Sequence, residues 1–189
     1  MPRTEQQNQA LREESRVNIL RHALTLFAHH GYEHTTVRMI AQAAGVAQGL
    51  MYNYFDSKEQ LLRALFEQSM ADVRASFAVA EAAEGPAQVE RLIAAAFAVL
   101  RRNLDFWRLS YVLRAQPAAL ASIGAELSGW TAAIRQTLEG YFRARGSATP
   151  QIEADILFAL IDGVSQHYAL DPAHYPLDAI EAALIARYR

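Results

Sequence analysis

The chain lacks several features that would each identify a particular class of protein. Its 189 residues contain no cysteine, which excludes disulfide bridges and thiolate chemistry, and an intracellular protein needs neither. No uninterrupted apolar run reaches the roughly 20 residues of a membrane-spanning helix. Residues 1–14 are polar and carry no apolar core, so they do not resemble a secretion signal. We therefore expect a cytoplasmic, soluble protein with no membrane partner.

Positive charge is scarce as well. Lysine and arginine total 18 against 20 aspartates and glutamates, so the formal net charge is -2, and Lys58 is the only lysine. Many nucleic-acid-binding proteins carry a basic excess. A role in DNA binding would therefore depend on where the positive charges lie and not on their sum.

Motifs typical of catalysis or metal binding are missing from the sequence. It contains no HExxH, no glycine-rich phosphate-binding loop and no cluster of metal ligands. Asp162, Ser165 and His167 lie on one predicted helix, at spacings that prevent them from facing one another as a catalytic triad. The sequence therefore predicts neither an enzyme nor a bound cofactor.

What the chain does contain is helix-forming sequence throughout. Hydrophobic residues make up 52% and charged residues 20%, which is typical of a globular protein. Alanine, leucine, arginine, glutamate and glutamine dominate, and no stretch sustains the period of two that a strand would show. The sequence therefore predicts an all-α fold.

Turn and capping residues divide the chain into predicted helices. A disordered arm, residues 1–12, precedes a first helix from about Glu13 to His30, which ends at Gly31. A linker is predicted at residues 81–86, and Asn103–Gln116 is predicted as a bent, aromatic region. The later helices are predicted over about 87–103, from Pro117 to Arg145 with a candidate break at Gly124, from Pro150 to Leu170 after an N-cap at Thr149, and from Pro176 to Tyr188.

Two short predicted helices after Gly31 have the pattern of a helix-turn-helix. Thr35 is a candidate N-cap for the first, over 36–44, and Gly45 supplies a turn residue free of Cβ strain. The second, over 46–54, turns an apolar side inward and exposes a polar side, as a recognition helix in the major groove requires. Its outward residues are Gln48, Gly49, Tyr52 and Asn53; Ser57 and Gln60 then form a candidate capping box for a longer helix.

These residues resemble the tetracycline-repressor (TetR) family of regulators over about fifty residues. The matching residues, in order, are Ile19-Leu20, Ala23-Leu24, Leu26-Phe27, Gly31-Tyr32, Thr35-Thr36-Val37, Ile40-Ala41, Ala44-Gly45-Val46, Gly49, Tyr52, Tyr54-Phe55, Ser57-Lys58 and Leu61-Leu62. The resemblance implies a helix-turn-helix domain at 13–62 and a helical domain at 63–189 that binds an effector and dimerises. It implies a homodimer that binds a palindromic double-stranded DNA operator.

The resemblance also implies which residues contact DNA. Thr36 and nearby amides would hold a phosphate at a helix N-terminus, and Arg38 would reach a guanine edge. Family members often carry Ser or Thr where this chain has Ala47, so one phosphate contact is reduced to a backbone amide. The DNA-contacting set is Thr36, Arg38, Ala47, Gln48, Gly49, Tyr52, Asn53, Tyr54 and Lys58; solvent-exposed or core roles remain open for Arg38 and Tyr54.

The C-terminal half carries candidate ligand-binding and dimer residues. An aromatic pocket wall and two polar contacts are predicted, although an aromatic stripe is also typical of plain core. Arg114 is either an anchor for an anionic ligand or one half of an ion pair. The pocket set is Phe97, Phe106, Trp107, Tyr111, Trp130, Asp162 and Gln166; the dimer set is Ile156, Ala159, Leu160, Gly163, Leu177, Ile180 and Leu184.

Two functions remain open at this point. The first is a repressor released from its operator by a small-molecule effector of unknown identity, with release commoner in the family than promotion of binding. The second is a DNA-binding regulator without an effector, which acts through a protein partner.

Overall fold

The computed structural model describes residues 4–81 and 88–188, and within these ranges every regular element is an α-helix. This confirms the predicted all-α fold. The helices are α1 (Glu5–His30), α2 (Val37–Ala44), α3 (Gln48–Met51), α4 (Lys58–Glu81), α5 (Gln88–Arg102), α6 (Leu104–Arg114), α7 (Pro117–Ala144), α8 (Pro150–Leu170) and α9 (Leu177–Tyr188).

Helix α1 begins at Glu5 and not near Glu13, so the prediction of an unstructured arm is wrong for residues 5–12. Thr4 and Gln7 form a capping box, in which each side chain accepts a hydrogen bond from the other residue's backbone N–H. Residues 1–3 lie outside the described part of the chain. The predicted C-terminal stop is confirmed, because Gly31 adopts a φ of 81° just after His30.

Helix α2 starts one residue later than the sequence suggested. The Thr36 hydroxyl accepts from the Met39 N–H at 3.2 Å, so Thr36 and not Thr35 is the N-cap. Thr35 is buried, and its hydroxyl donates to the Gly31 carbonyl at 2.8 Å. The break at Gly45 is confirmed by its left-handed conformation, with φ 69°.

Helix α3 is shorter than the predicted 46–54. It spans Gln48–Met51 and continues as a turn, in which Asn53 N–H bonds to the Leu50 carbonyl and Tyr54 N–H to the Met51 carbonyl. Ala47 offers no side chain to cap the helix. A glycine in a helix this short further lowers its stability, so only one full turn forms.

Helix α4 connects the helix-turn-helix to the rest of the molecule. The Ser57 hydroxyl accepts from the Gln60 N–H, as predicted, but the Gln60 side chain accepts from the Asp56 N–H instead of completing the box with Ser57. The helix packs against α1 on one side and against α5 and α7 on the other. The ring centroids of Phe66 on α4 and Phe106 on α6 lie 5.4 Å apart, so the core continues between the two halves.

The C-terminal helices differ from prediction at two places. Residues 104–114, expected to be part of a bent region, form α6, and α7 runs through Gly124 without a break. Helices α5, α6, α7 and α8 enclose a shared apolar interior, while α9 packs on α5. Most of the predicted linker lies outside the described residues. None of the described helices is long and apolar enough to span a membrane.

Candidate DNA-binding face and effector site

The exposed side of α2, α3 and the turn after α3 forms one polar face, which we call the α3 face. Met51, on the opposite side of α3, is 1% exposed and packs with Ile40 and Phe27 in the core. Tyr52 is 51% exposed. The structure therefore has the predicted apolar back and polar front. The exposed residues of the α3 face are Thr36, Arg38, Ala47, Gln48, Gly49, Tyr52 and Asn53.

Gly49 is not required by the protein's own packing. A Cβ built at this position would meet no heavy atom within 4 Å among the described residues. Its backbone carries no positive φ either, since the glycines that do are Gly31, Gly45 and Gly146 in the described chain. A small residue here therefore matters only for something that approaches the α3 face from outside, as a DNA backbone would.

Lys58 has an intramolecular role that the sequence did not predict. Its ammonium donates to the Tyr32 carbonyl at 2.9 Å and to the Thr35 carbonyl at 3.3 Å. It also lies 4.2 Å from the centroid of the Tyr32 ring. Two of its three N–H donors are thus used to join α4 to the loop between α1 and α2, which leaves one for the predicted phosphate contact.

The sequence did not predict a role for Arg12, because this residue lies in the stretch 1–12 that was expected to be a disordered arm. Its guanidinium donates to the Asn53 carbonyl at 3.2 Å and lies 5.8 Å from the centroid of the half-buried Tyr54 ring. The Thr4–Gln7 pair, a capping-box pattern, is the sequence signal that would have placed Arg12 on a helix. The residue fixes the turn that carries Tyr52 and Asn53.

Asn18 holds the helix-turn-helix from the other side. Its amide donates to the Ala44 carbonyl at 2.9 Å, and Arg21 donates to its Oδ1 at 2.7 Å. Ala44 is the last residue of α2, so the bond satisfies a carbonyl that the helix itself leaves unpaired. The orientation of α2 and α3 against α1 is therefore set by specific bonds as well as by packing.

A second candidate site is an internal cavity of about 50 Å³ enclosed by α5, α6, α7 and α8. We call it the inner cavity. Of the predicted pocket residues, Trp107, Trp130 and Asp162 line it, whereas Phe97 and Phe106 are buried core residues outside its lining. Gln166 is exposed, so its prediction as a pocket residue is wrong; Ser165, one residue earlier on α8, faces the cavity instead.

Asp162 is engaged by its neighbours. Arg114 Nη1 donates to its carboxylate at 2.9 and 3.1 Å, and the Tyr111 hydroxyl donates to its backbone carbonyl at 3.1 Å. Burial, followed by the nearby carboxylate, raises the pKa of Tyr111 well above its ordinary value. Of the two roles open for Arg114, the structure favours the ion pair. Tyr111 supports the cavity wall from behind.

A larger groove of about 530 Å³ lies beside the inner cavity, between α4 and α7. We call it the outer groove. Phe66, Met70 and Val73 of α4 form one wall. The two spaces adjoin, because Leu92, Trp130, Ile134 and Leu138 line both. A molecule in the outer groove would therefore contact α4, the helix that begins beside the α3 face.

The predicted dimer residues divide into exposed and buried ones. On α8, Ile156 is 47% and Leu160 37% exposed, and Ile152, one turn earlier, is 58% exposed. Ala159 is exposed on the same helix and Gly163 half-buried. Leu177 and Leu184 of α9 are buried within their own protomer, and Ile180 is partly buried against the core, so Leu177 and Leu184 are wrong as interface residues. The sequence pattern showed that α9 is apolar, but it did not show whether the helix covers its own protomer or a partner subunit.

Comparison with known proteins identifies the N-terminal part. Residues 19–65 match the family model described as "Bacterial regulatory proteins, tetR family". The HTH-type transcriptional repressor KstR2 of Rhodococcus jostii is 36% identical over 84 residues, which cover 43% of this chain and 41% of that protein. The similarity thus spans about two fifths of this relative's length.

Two solved structures share the fold over nearly the whole chain. The fatty acid degradation regulator FadR from Bacillus halodurans has a TM-score of 0.78 at 23% identity, and covers 92% of this chain and 94% of its own. The regulator FadR from Bacillus subtilis, solved in complex with stearoyl-CoA, has a TM-score of 0.75 at 21% identity, with 91% and 96% covered. These proteins are regulators and not enzymes. Residues 19–65 thus match the tetR family of bacterial regulatory proteins, and the rest of the chain shares the fold of these two regulators.

Proposed function

We propose that this protein is a homodimeric transcriptional repressor that binds a palindromic operator in double-stranded DNA and is released by a small-molecule effector. It acts in the cytoplasm, where the operator lies. The observation that carries the proposal is the α3 face, a polar, exposed surface mounted on an apolar back in a helix-turn-helix. The division into a DNA-binding unit at 13–62 and an effector unit at 63–189 remains part of the proposal, since α4 belongs to both.

The α3 face offers both kinds of contact that operator binding needs. Thr36 and the first amides of α2 suit a phosphate, and Tyr52 presents a hydroxyl to the backbone of DNA. Arg38 and Gln48 have side chains that pair with guanine and adenine edges in the major groove. Phosphate contacts would set the position, and these two side chains would provide sequence discrimination.

Dimerisation supplies the second recognition element. The apolar residues Ile152, Ile156 and Leu160 form an exposed stripe along α8, which a soluble protein rarely leaves uncovered. Pairing of α8 and α9 with their symmetry mates would bury this stripe in a four-helix interface. Two α3 faces related by a two-fold axis would then read a near-palindromic operator.

The effector would bind in the inner cavity and the outer groove. Both have mainly apolar walls, as small-molecule sites do, and a protein of the same fold binds stearoyl-CoA. A ligand that favours one position of α4 would shift the dimer toward the arrangement of DNA-binding units that accompanies it. DNA and effector would then weaken each other's binding by the same factor.

Contacts between the two halves offer a route for this coupling. His29 at the end of α1 lies 3.5 Å from Asp105 on α6. Arg63 on α4 pairs with Glu126 at 3.4 Å and donates to the Ser122 carbonyl at 2.9 Å, both on α7. A displacement of α6 or α7 would therefore reach the DNA-binding unit through α1 and α4 together.

The small size of the inner cavity favours the alternative, a regulator without an effector that acts through a protein partner. At about 50 Å³ it holds a few water molecules, so an effector must also occupy the outer groove or widen the cavity. Isothermal titration of candidate apolar ligands against the DNA-bound and free protein separates the two functions, because only an effector binds the two forms with different affinity.

DNA binding is tested by fluorescence anisotropy with the DNA upstream of the gene, at two salt concentrations. The wild type should bind tightly and lose affinity steeply with salt. The double variant Gln48→Ala/Tyr52→Ala should lose at least tenfold in affinity, whereas Gln136→Ala, exposed on α7, should behave as wild type. Equal binding by both variants would exclude the α3 face as the recognition surface. Lys58 is not used here because its loss would also disturb the fold.

A further inference from the structure

Leu50 is an exposed leucine of α3 that borders the α3 face. It is 38% exposed, whereas Met51, the next residue of the helix, is 1% exposed. Among the described residues, Leu50 belongs neither to the buried core nor to the partly buried apolar side chains that pack against it. This large hydrocarbon group therefore lies outside the core packing that holds α3 in place.

The backbone of α3 sets the side of the helix on which Leu50 lies. The Leu50 N–H donates to the Ala47 carbonyl at 2.9 Å, and the Leu50 carbonyl accepts from the Asn53 N–H at 3.1 Å. Residues three apart on a helical turn are neighbours on one side of it. Leu50 therefore lies between Ala47 and Asn53, two exposed residues of the α3 face. A molecule that covers this face would meet its side chain.

The surroundings of Leu50 make this edge of the α3 face apolar. Ala47 presents a methyl group, and Gly49 has no side chain, with open space where a Cβ would lie. Leucine can neither donate nor accept a hydrogen bond, so it suits neither a phosphate nor the polar edge of a base. In the major groove, the apolar group that a base pair presents is the 5-methyl group of thymine. Contact with this methyl group would remove apolar surface of both molecules from water.

We propose that Leu50 contacts the 5-methyl group of one thymine in each half-site of the operator and so selects thymine at that position. This inference rests on the proposed operator binding and adds a specificity-determining residue to it. Arg38 and Gln48 would pair with hydrogen-bonding base edges, whereas Leu50 recognises an apolar one. Cytosine, which has no methyl group on its ring, is disfavoured at the same position.

Replacement of thymine by uracil tests this contact, because uracil lacks the 5-methyl group and still pairs with adenine. The probe is the operator duplex that the wild-type chain selects from random DNA. Each thymine position of the half-site is replaced in turn, in both half-sites together. Fluorescence anisotropy then gives the Kd of the wild type, Leu50→Ala and Leu50→Met for each duplex. Urea denaturation checks that both variants fold.

The wild type should lose affinity at one thymine position, by about fourfold for each half-site, which is the effect of one methyl group no longer buried. Leu50→Ala should bind the thymine and uracil duplexes equally well at that position. Leu50→Met is the matched control, because it keeps an apolar side chain of similar size and should retain most of the wild-type loss. The ratio of two Kd values within one protein does not depend on small differences in variant stability.

Three results would overturn the proposal. A selected half-site without thymine would offer Leu50 no methyl group. Wild-type binding that no uracil substitution weakens would mean that the protein contacts no thymine methyl group. A loss in Leu50→Ala equal to that of the wild type at every position would mean that another side chain makes the contact. All three require a bound operator, so they are distinguishable from failure of the proposed function, in which the chain binds no operator.

Discussion

At the scale of single residues, Gly45 and Gly49 show how one amino acid serves two purposes a few positions apart. Gly45 has a φ of 69° and closes α2, whereas Gly49 has ordinary helical surroundings with open space around it. The first is required by the backbone of the turn. The described contacts show no requirement of the fold for the second, which lies on the α3 face, the surface proposed to bind DNA.

Alanine substitutions separate the two roles. Gly45→Ala should lower the free energy of unfolding by about 1–2 kcal/mol, because a left-handed conformation is strained for a residue with a Cβ. Gly49→Ala should leave stability unchanged or raise it slightly, yet weaken operator binding. Urea denaturation and anisotropy on the same samples check both effects. Full DNA affinity in Gly49→Ala would show that the backbone does not approach DNA there.

Lys58 leads to a second residue-scale prediction. Lys58→Ala removes two bonds to backbone carbonyls and the contact with the Tyr32 ring, so it should lower the free energy of unfolding by about 2 kcal/mol. Arg38→Ala, on the exposed part of α2, should leave stability unchanged while weakening DNA binding. Urea denaturation compares the free energies of unfolding of the Lys58→Ala and Arg38→Ala variants. Equal stability of Lys58→Ala and wild type would show that its contacts are not formed in solution.

At the scale of elements, the N-terminal turns of α1 gain a function from Arg12. Its bond to the Asn53 carbonyl fixes the turn after α3, so Arg12→Ala should reduce operator affinity severalfold without unfolding the protein. Gln9→Ala, exposed on the same turns of α1, is the matched control and should bind as wild type. If both variants bind equally well, α1 before residue 13 has no part in positioning the α3 face.

The sequence predicted elements well where local signals are strong. Gly31, Gly45 and the Thr149–Pro150 pair marked helix ends correctly, since caps and positive φ depend on neighbouring residues alone. It failed where the outcome depended on distant contacts. The sequence predicted a bent region over Asn103–Gln116, but the burial of its aromatic residues against α4 and α7 favours a regular helix over Leu104–Arg114.

The candidate sites divide in the same way. The α3 face was predictable because its residues lie within one short stretch and alternate between buried and exposed. Gln166 and Ser165 differ by one position on α8, and only the packing of α8 against α6 and α7 decides which faces the cavity. Leu184 was assigned to a partner subunit although it covers its own core, because an apolar stripe does not specify what covers it.

At the scale of the whole molecule, the exposed stripe on α8 should control the oligomeric state. Ile156→Glu/Leu160→Glu places two charges in the proposed interface and should convert the dimer into a monomer with weaker operator binding. Leu11→Glu, which alters an exposed leucine on α1, should remain dimeric. Sedimentation equilibrium distinguishes the two states. A dimeric double variant would place the interface elsewhere on the surface.

Alkaline pH should destabilise the whole fold through its buried tyrosines. Burial raises the pKa of both Tyr32 and Tyr111 above the ordinary value of about 10, so the unfolded chain releases these protons first. The stability that these two protonated tyrosines contribute is fully present below about pH 10, and it is lost as the pH rises above that value. The urea midpoint of wild type should therefore fall between pH 9 and 11, and fall less in Tyr111→Phe. An equal fall would mean that Tyr111 is not protected in the folded protein.

Selection of bound sequences from random DNA with the whole chain shows whether two α3 faces bind a symmetric operator. We expect enrichment of a near-palindrome whose half-sites lie about one helical turn apart, bound by two chains per site. The Gln48→Ala/Tyr52→Ala variant should not enrich it. If no sequence is enriched, or if one chain binds a single asymmetric site, the protein does not bind a symmetric operator through two α3 faces.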